Sequence, residues 1–209
     1  MSVGDEGIPT PIEKEKSKVF VNFINILFAI VLGQSFLLIT LPTEQGGFKE
    51  LIMNPAANIA PITTLFLSYT LVISSFVGYN VSTNNFPIRY TWRFVIDIIL
   101  LFMYFALFTT TTNFGLVLTL YTLIFFFYSV WNVVRYYEYK SLSEVKDQLL
   151  RRTKYCFVFF AFFLFALFVF NIFGNEFVAG TITSGILVVF ILYRIVKRPE
   201  RKSEPPNPN

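Results

Sequence analysis

Residues 155–173 read YCFVFFAFFLFALFVFNIF, with nine phenylalanines, a single amide (Asn171) and no charge. A helix rises 1.5 Å per residue, so a stretch of this length covers the ~30 Å of bilayer hydrocarbon. The run does not alternate apolar with polar residues, which excludes a strand of a transmembrane β-barrel. In lipid the backbone polar groups must be satisfied internally, and a single helix does this within its own segment. Moving outward from this stretch, five further apolar runs appear at about 19–41, 62–79, 94–110, 114–134 and 177–196. The expected fold class is therefore all-α: a polytopic membrane protein with a six-transmembrane-helix bundle over 19–196. A disordered tail is expected at 1–18 and a disordered basic, proline-rich tail at 197–209, because neither carries apolar residues enough to bury.

Composition agrees. Only 14% of residues are charged and 55% are hydrophobic, where a soluble domain is near 25% charged. The chain has no histidine, which removes the commonest metal ligand and general base. Its one cysteine, Cys156, lacks an internal disulfide partner, and in an apolar helix it needs no role. No metal and no cofactor are expected.

Charge sets the expected orientation. The 17 basic residues fall before run 1, between runs 2 and 3, between runs 4 and 5, and at or after the end of run 6, with the exception of Lys49. The positive-inside bias then places both termini in the cytoplasm of a cell membrane. The net charge of +4 is accounted for by topology, and nucleic acid is not expected as a partner. The partners expected are the lipid bilayer, anionic lipid headgroups at the cytoplasmic face and further copies of the chain. The first 18 residues do not read as a signal peptide, being proline-containing and mixed in charge. The very short links at 111–113 and 174–176 make runs 3 and 4, and runs 5 and 6, antiparallel neighbours.

Two connections carry features of their own. The external loop at 42–61 contains Gly46-Gly47, Pro55 and an amphipathic piece at 48–53, and reads as lying on the membrane surface or capping the bundle. After run 4, Ser141 and Glu144 have capping-box spacing, so a short helix is expected to lead into run 5. Tyr136, Tyr137 and Tyr139 beside Arg135 and Lys140 read as an interfacial anchor.

Run 1 has the most organised polar face. Asn22, Asn25, Ala29 and Gly33 are spaced by three or four residues and form one stripe, with Gln34 beside its upper end. Such a stripe is either a seam for close helix packing or the wall of a polar pathway. Apolar residues above it, Phe36 and Leu37, would form a constriction that gates by dewetting. Asp97 is the acid within the runs, and Arg93 one turn earlier is its available ion-pair partner. It reads either as a cation or proton contact or as a hydrogen-bonded or ion-paired anchor near the cytoplasmic interface. Ser74 and Gly78 in run 2, and Gly180 and Ser184 in run 6, have small-xxx-small spacing and mark helix packing. Run 5, apolar on every face, reads as the lipid-exposed wall.

The segment Phe23-Ile-Asn-Ile-Leu-Phe-Ala-Ile30 resembles the first-helix signature of the small six-helix potassium channels of the transmembrane protein 175 type, Arg-x-x-x-Phe-Ser-Asp-x-x-x-Ala-Ile. Phe23, Ala29 and Ile30 match it. Asn25 stands where that family has aspartate, Ile24 where it has serine and Val19 where it has arginine. The resemblance implies a pore lined by the first helix, a constriction of hydrophobic side chains and assembly into tetramers, with Ile30, Gln34 and Leu37 along the pathway.

An enzyme is not expected. The runs offer no His-Glu-x-x-His, no histidine beside a serine, no paired aspartates and no phosphate-cradling glycine loop. The function expected is a small oligomeric cation channel, K⁺-like, lined by the first helix. The alternative is a non-conducting membrane scaffold or accessory subunit.

Overall fold

A computed structural model describes residues 10–40, 59–110, 113–139, 143–174 and 176–196. They form six helices: α1 (Pro11–Thr40), α2 (Ile59–Asn85), α3 (Thr91–Thr109), α4 (Phe114–Glu138), α5 (Ser143–Phe173) and α6 (Glu176–Val196). The described residues contain no strand. Five of the helices are long and apolar enough to cross a membrane, and the described apolar stretch of α6, Gly180–Tyr193, is shorter. The chain is thus all-α, and its helices are those of a membrane-embedded bundle.

Most of the helices outrun the apolar stretches that announced them. α1 starts at Pro11 rather than at 19, which corrects the expected disordered tail: residues 11–18 are helical. The cause is a capping box, in which Glu13 N donates to Thr10 Oγ1 (3.2 Å) and Thr10 N donates to Glu13 Oε2 (2.8 Å). Pro11 at the first helical position loses no hydrogen bond there. The short helix expected before run 5 is instead continuous with it in the single 31-residue α5. Ser141 of the expected capping box, the loop segment 41–58, the tail at 1–9 and the tail at 197–209 lie outside the described residues.

At the turn between α3 and α4, Asn113 accepts from Leu116 N (3.1 Å) as N-cap. Thr109 and Thr110 hydroxyls donate at 2.9 and 2.8 Å to the Ala106 carbonyl, which also accepts from Thr110 N (3.1 Å). Gly174, at φ 58°, ends α5 in the left-handed conformation that glycine adopts without a Cβ penalty.

The helices close into a ring. α1 packs on α3, α3 on α4, α4 on α5, α5 on α6, α6 on α2, and α2 back on α1. The antiparallel neighbours expected from the short links are both present. α1 turns Ile24, Phe28, Val31 and Ser35 inward, at spacings of four, three and four. Phe125 of α4 sits at the aromatic centre, against Phe159 and Phe163 of α5 and Phe190 of α6 with centroids 4.8–5.6 Å away. α5 is the helix least enclosed by the chain: 17% of its most apolar window is buried, against 44% for α2, α3 and α4. One stripe of it nonetheless packs inward through Phe159, Phe163 and Ala166.

Candidate functional site

The start of α1, the link between α2 and α3, and the end of α4 meet at one end of the ring, here the basic end. Ser17 Oγ of α1 accepts from Ile88 N (2.8 Å). Glu138, the last residue of α4, accepts from Tyr90 N (2.7 Å) and from Arg93 Nη1 of α3 (3.1 Å). The Arg93–Glu138 ion pair has both side chains fully buried. Arg93 also donates to the Phe86 carbonyl (3.2 Å), and the Tyr139 hydroxyl donates to the Pro87 carbonyl. Tyr139 is therefore a buried clasp on the link and not part of an interfacial anchor, whereas Tyr137 is exposed as expected.

Asp97 is buried, with Arg93, Trp131 and Glu138 as its polar neighbours and its Oδ2 without a hydrogen-bond partner. The ion pair that Arg93 forms is with Glu138, 45 residues away, rather than the intrahelical one with Asp97 that the spacing makes available. The sequence could not show this, because the competing carboxylate arrives through tertiary packing.

Above this clasp the ring encloses a cavity of about 560 Å³, within the range of small-molecule sites. Asp97 of α3 lines it, with Arg135 of α4 and Arg152 of α5. Deeper in, the hydroxyls of Ser75, Tyr128 and Tyr104 are joined in a chain across α2, α4 and α3. Asn132 lines the same wall, donating to the Tyr128 carbonyl (2.8 Å) and to Cys156 Sγ (3.4 Å). The upper wall is apolar, with Phe28 and Phe190.

Trp131 organises the two inner arginines. The Arg93 guanidinium lies 4.9 Å from its ring centroid and that of Arg135 5.6 Å, while Arg135 also stacks on Phe86 at 4.6 Å. Such contacts hold a cation in place without neutralising it. Arg135 is 1% exposed, and its Nε and Nη1 have no hydrogen-bond partner.

The residues singled out on α1 are elsewhere. Asn22, Ala29, Ile30, Gly33, Gln34 and Leu37 face outward from the ring, on the side of α1 opposite its core stripe. Asn25 is half-buried with its Oδ1 unpartnered. A Cβ placed on Gly33 would meet nothing within 4 Å, so the stripe is not a packing seam inside one copy of the chain. Arg135, Arg152, Glu138 and Trp131 were not singled out as site residues. The signal for them existed on α4, where Tyr128, Asn132 and Arg135 recur at helical spacing as a polar stripe.

The chain matches no family model, no curated protein and no solved structure.

Proposed function

We propose that several copies of this chain assemble in the cell membrane around a cation pathway lined by α1. The observation that carries this is the outward amide-bearing face of α1. An amide facing hydrocarbon without a hydrogen-bond partner costs roughly 2–7 kcal/mol. Gln34 lies well within α1 and faces outward from the protomer, so it needs another copy or water beside it. Small residues on the same face, Ala29 and Gly33, allow neighbouring helices to approach closely. Ile30 and Leu37, 52% and 47% exposed on the single chain, form the apolar constriction of the pathway. In this arrangement all six helices cross the membrane, and both termini and the basic end face the cytoplasm, in keeping with the distribution of lysine and arginine. The transported ion is K⁺ or one resembling it, as the likeness of residues 23–30 to the transmembrane protein 175 signature implies.

Purified protein reconstituted in liposomes tests this. K⁺ flux is expected, changed by Gln34→Leu and by Asn25→Leu while the protein remains monodisperse. Absence of K⁺, Na⁺ and H⁺ flux across pH and voltage would sink the channel reading. The second reading, a non-conducting accessory subunit, has in its favour the exposed cations Lys14, Lys16, Lys18, Arg151 and Lys154, which suit an acidic partner or anionic lipid surface. Stoichiometric co-purification of another protein, without flux, would support it.

A further inference from the structure

The cavity holds a buried cation whose hydrogen bonds are incomplete. Arg135 lines it, is 1% exposed and keeps Nε and Nη1 without a hydrogen-bond partner, while Arg93 is engaged by Glu138. Arg93 and Arg152 act on Arg135 as like charges, and Glu138 as an opposite one. A buried cation with unmet donors is costly unless something pairs with it. Arginine presents a planar fork of donors that suits a carboxylate or a phosphate bidentately. The unmet donors of Arg135 therefore call for an anionic acceptor.

The rest of the cavity says what the anion is attached to. Arg135 lies in the last turn of α4, and Tyr128 is two turns deeper, ~10 Å along the helix. Beyond Arg135 the lining changes to hydroxyls and then to Phe28 and Phe190. On the α2 side, Val77 and Val81 line the cavity and are also 55% and 50% exposed. They lie on the stripe of α2 that includes Phe66 and Ile73, both likewise exposed. The cavity thus reaches the apolar flank of the ring between helices, where an acyl chain would pass. We infer that the cavity binds an anionic amphiphile from the membrane, with its carboxylate or phosphate headgroup on Arg135 and its chain directed past Val77 and Val81. This site lies within each copy of the chain and is independent of any pathway along α1.

The protein carries its own reporter. Of its two tryptophans, Trp92 is exposed and Trp131 lines the cavity. In detergent-purified Trp92→Phe protein, dibrominated stearate is expected to quench Trp131 fluorescence saturably. Its uncharged methyl ester should need at least roughly tenfold more, as expected for loss of a charge-assisted contact. Arg135→Gln should remove the difference between acid and ester, and Arg135→Lys should retain most of it. Equal quenching by acid and ester in the unsubstituted site would overturn the inference without reliance on any Arg135 variant. Relief of quenching by inorganic phosphate in the concentration range of the stearate would overturn the amphiphile as ligand, and absence of relief supports it. Ion flux plays no part in this readout, so its outcome is separable from that of the channel reading.

Discussion

At the residue scale, the buried ion pair decides the most. Arg93 and Glu138 gain little over a well-packed apolar pair, but removing one partner leaves the other charge buried. Glu138→Ala is therefore expected to destabilise the protein by about 3–5 kcal/mol, lowering the thermal midpoint of the detergent-solubilised protein. The double variant Arg93→Met with Glu138→Leu should recover most of that loss. A single variant no worse than the double would show that the pair is not uncompensated on truncation. The hydroxyl chain has smaller consequences. Tyr128→Phe removes the hydroxyl that joins Ser75 and Tyr104, an expected cost of about 1–3 kcal/mol because two buried hydroxyls each lose a partner. Neither contact was legible in the sequence. Glu138 sits in the run Tyr136-Tyr137-Glu138-Tyr139, which reads as an interfacial border, and its partner is 45 residues away. Local spacing instead offered Asp97 as the partner of Arg93, one turn along the same helix. Tertiary packing overrode that choice.

Elements were far more legible than contacts, and for a physical reason. Backbone groups in lipid must bond within their own helix, so an apolar run of sufficient length specifies a helix with little reference to its neighbours. Helix ends follow local rules too, and two of them lie well outside the apolar runs. The Thr10-Pro11-Ile12-Glu13 box was readable but lay in a polar segment that hydropathy discounts. The polar start of α5 joins its apolar run in one helix, since residues 143–173 contain neither glycine nor proline to interrupt it. The outward side of α1 yields a prediction at this scale. Gly33→Ala meets open space in the single chain and improves helix propensity by ~1 kcal/mol. Its thermal midpoint in detergent is expected to be unchanged or raised, whereas Gly33→Leu should alter the mass of the assembly measured by light scattering. A drop in the stability of the Ala variant would mean that Gly33 is packed within the protomer.

At the scale of the molecule, the ring follows from connectivity and from which faces are apolar. The short links join α3 to α4 and α5 to α6, and the most extensive contact in the chain is between α4 and α5. Fragments 1–139 and 143–209 expressed together are expected to co-purify as a complex, because membrane helices form independently and then associate by packing. Separate elution of the two would show that the covalent link holds α4 and α5 together. What the cavity needs from this arrangement is a wall to which all six helices contribute, which no single stretch of sequence displays. α5 contributes to that wall in a way that reaches beyond it. Its 31 residues extend ~46 Å as one uninterrupted rod, longer than the ~30 Å of hydrocarbon. Arg152 sits about 14 Å along from Ser143, between the polar start of the rod and its apolar part. A tilt applied to that polar start, by a partner or by a change in bilayer thickness, would be transmitted along α5 as along a lever and would shift Arg152 relative to Arg135.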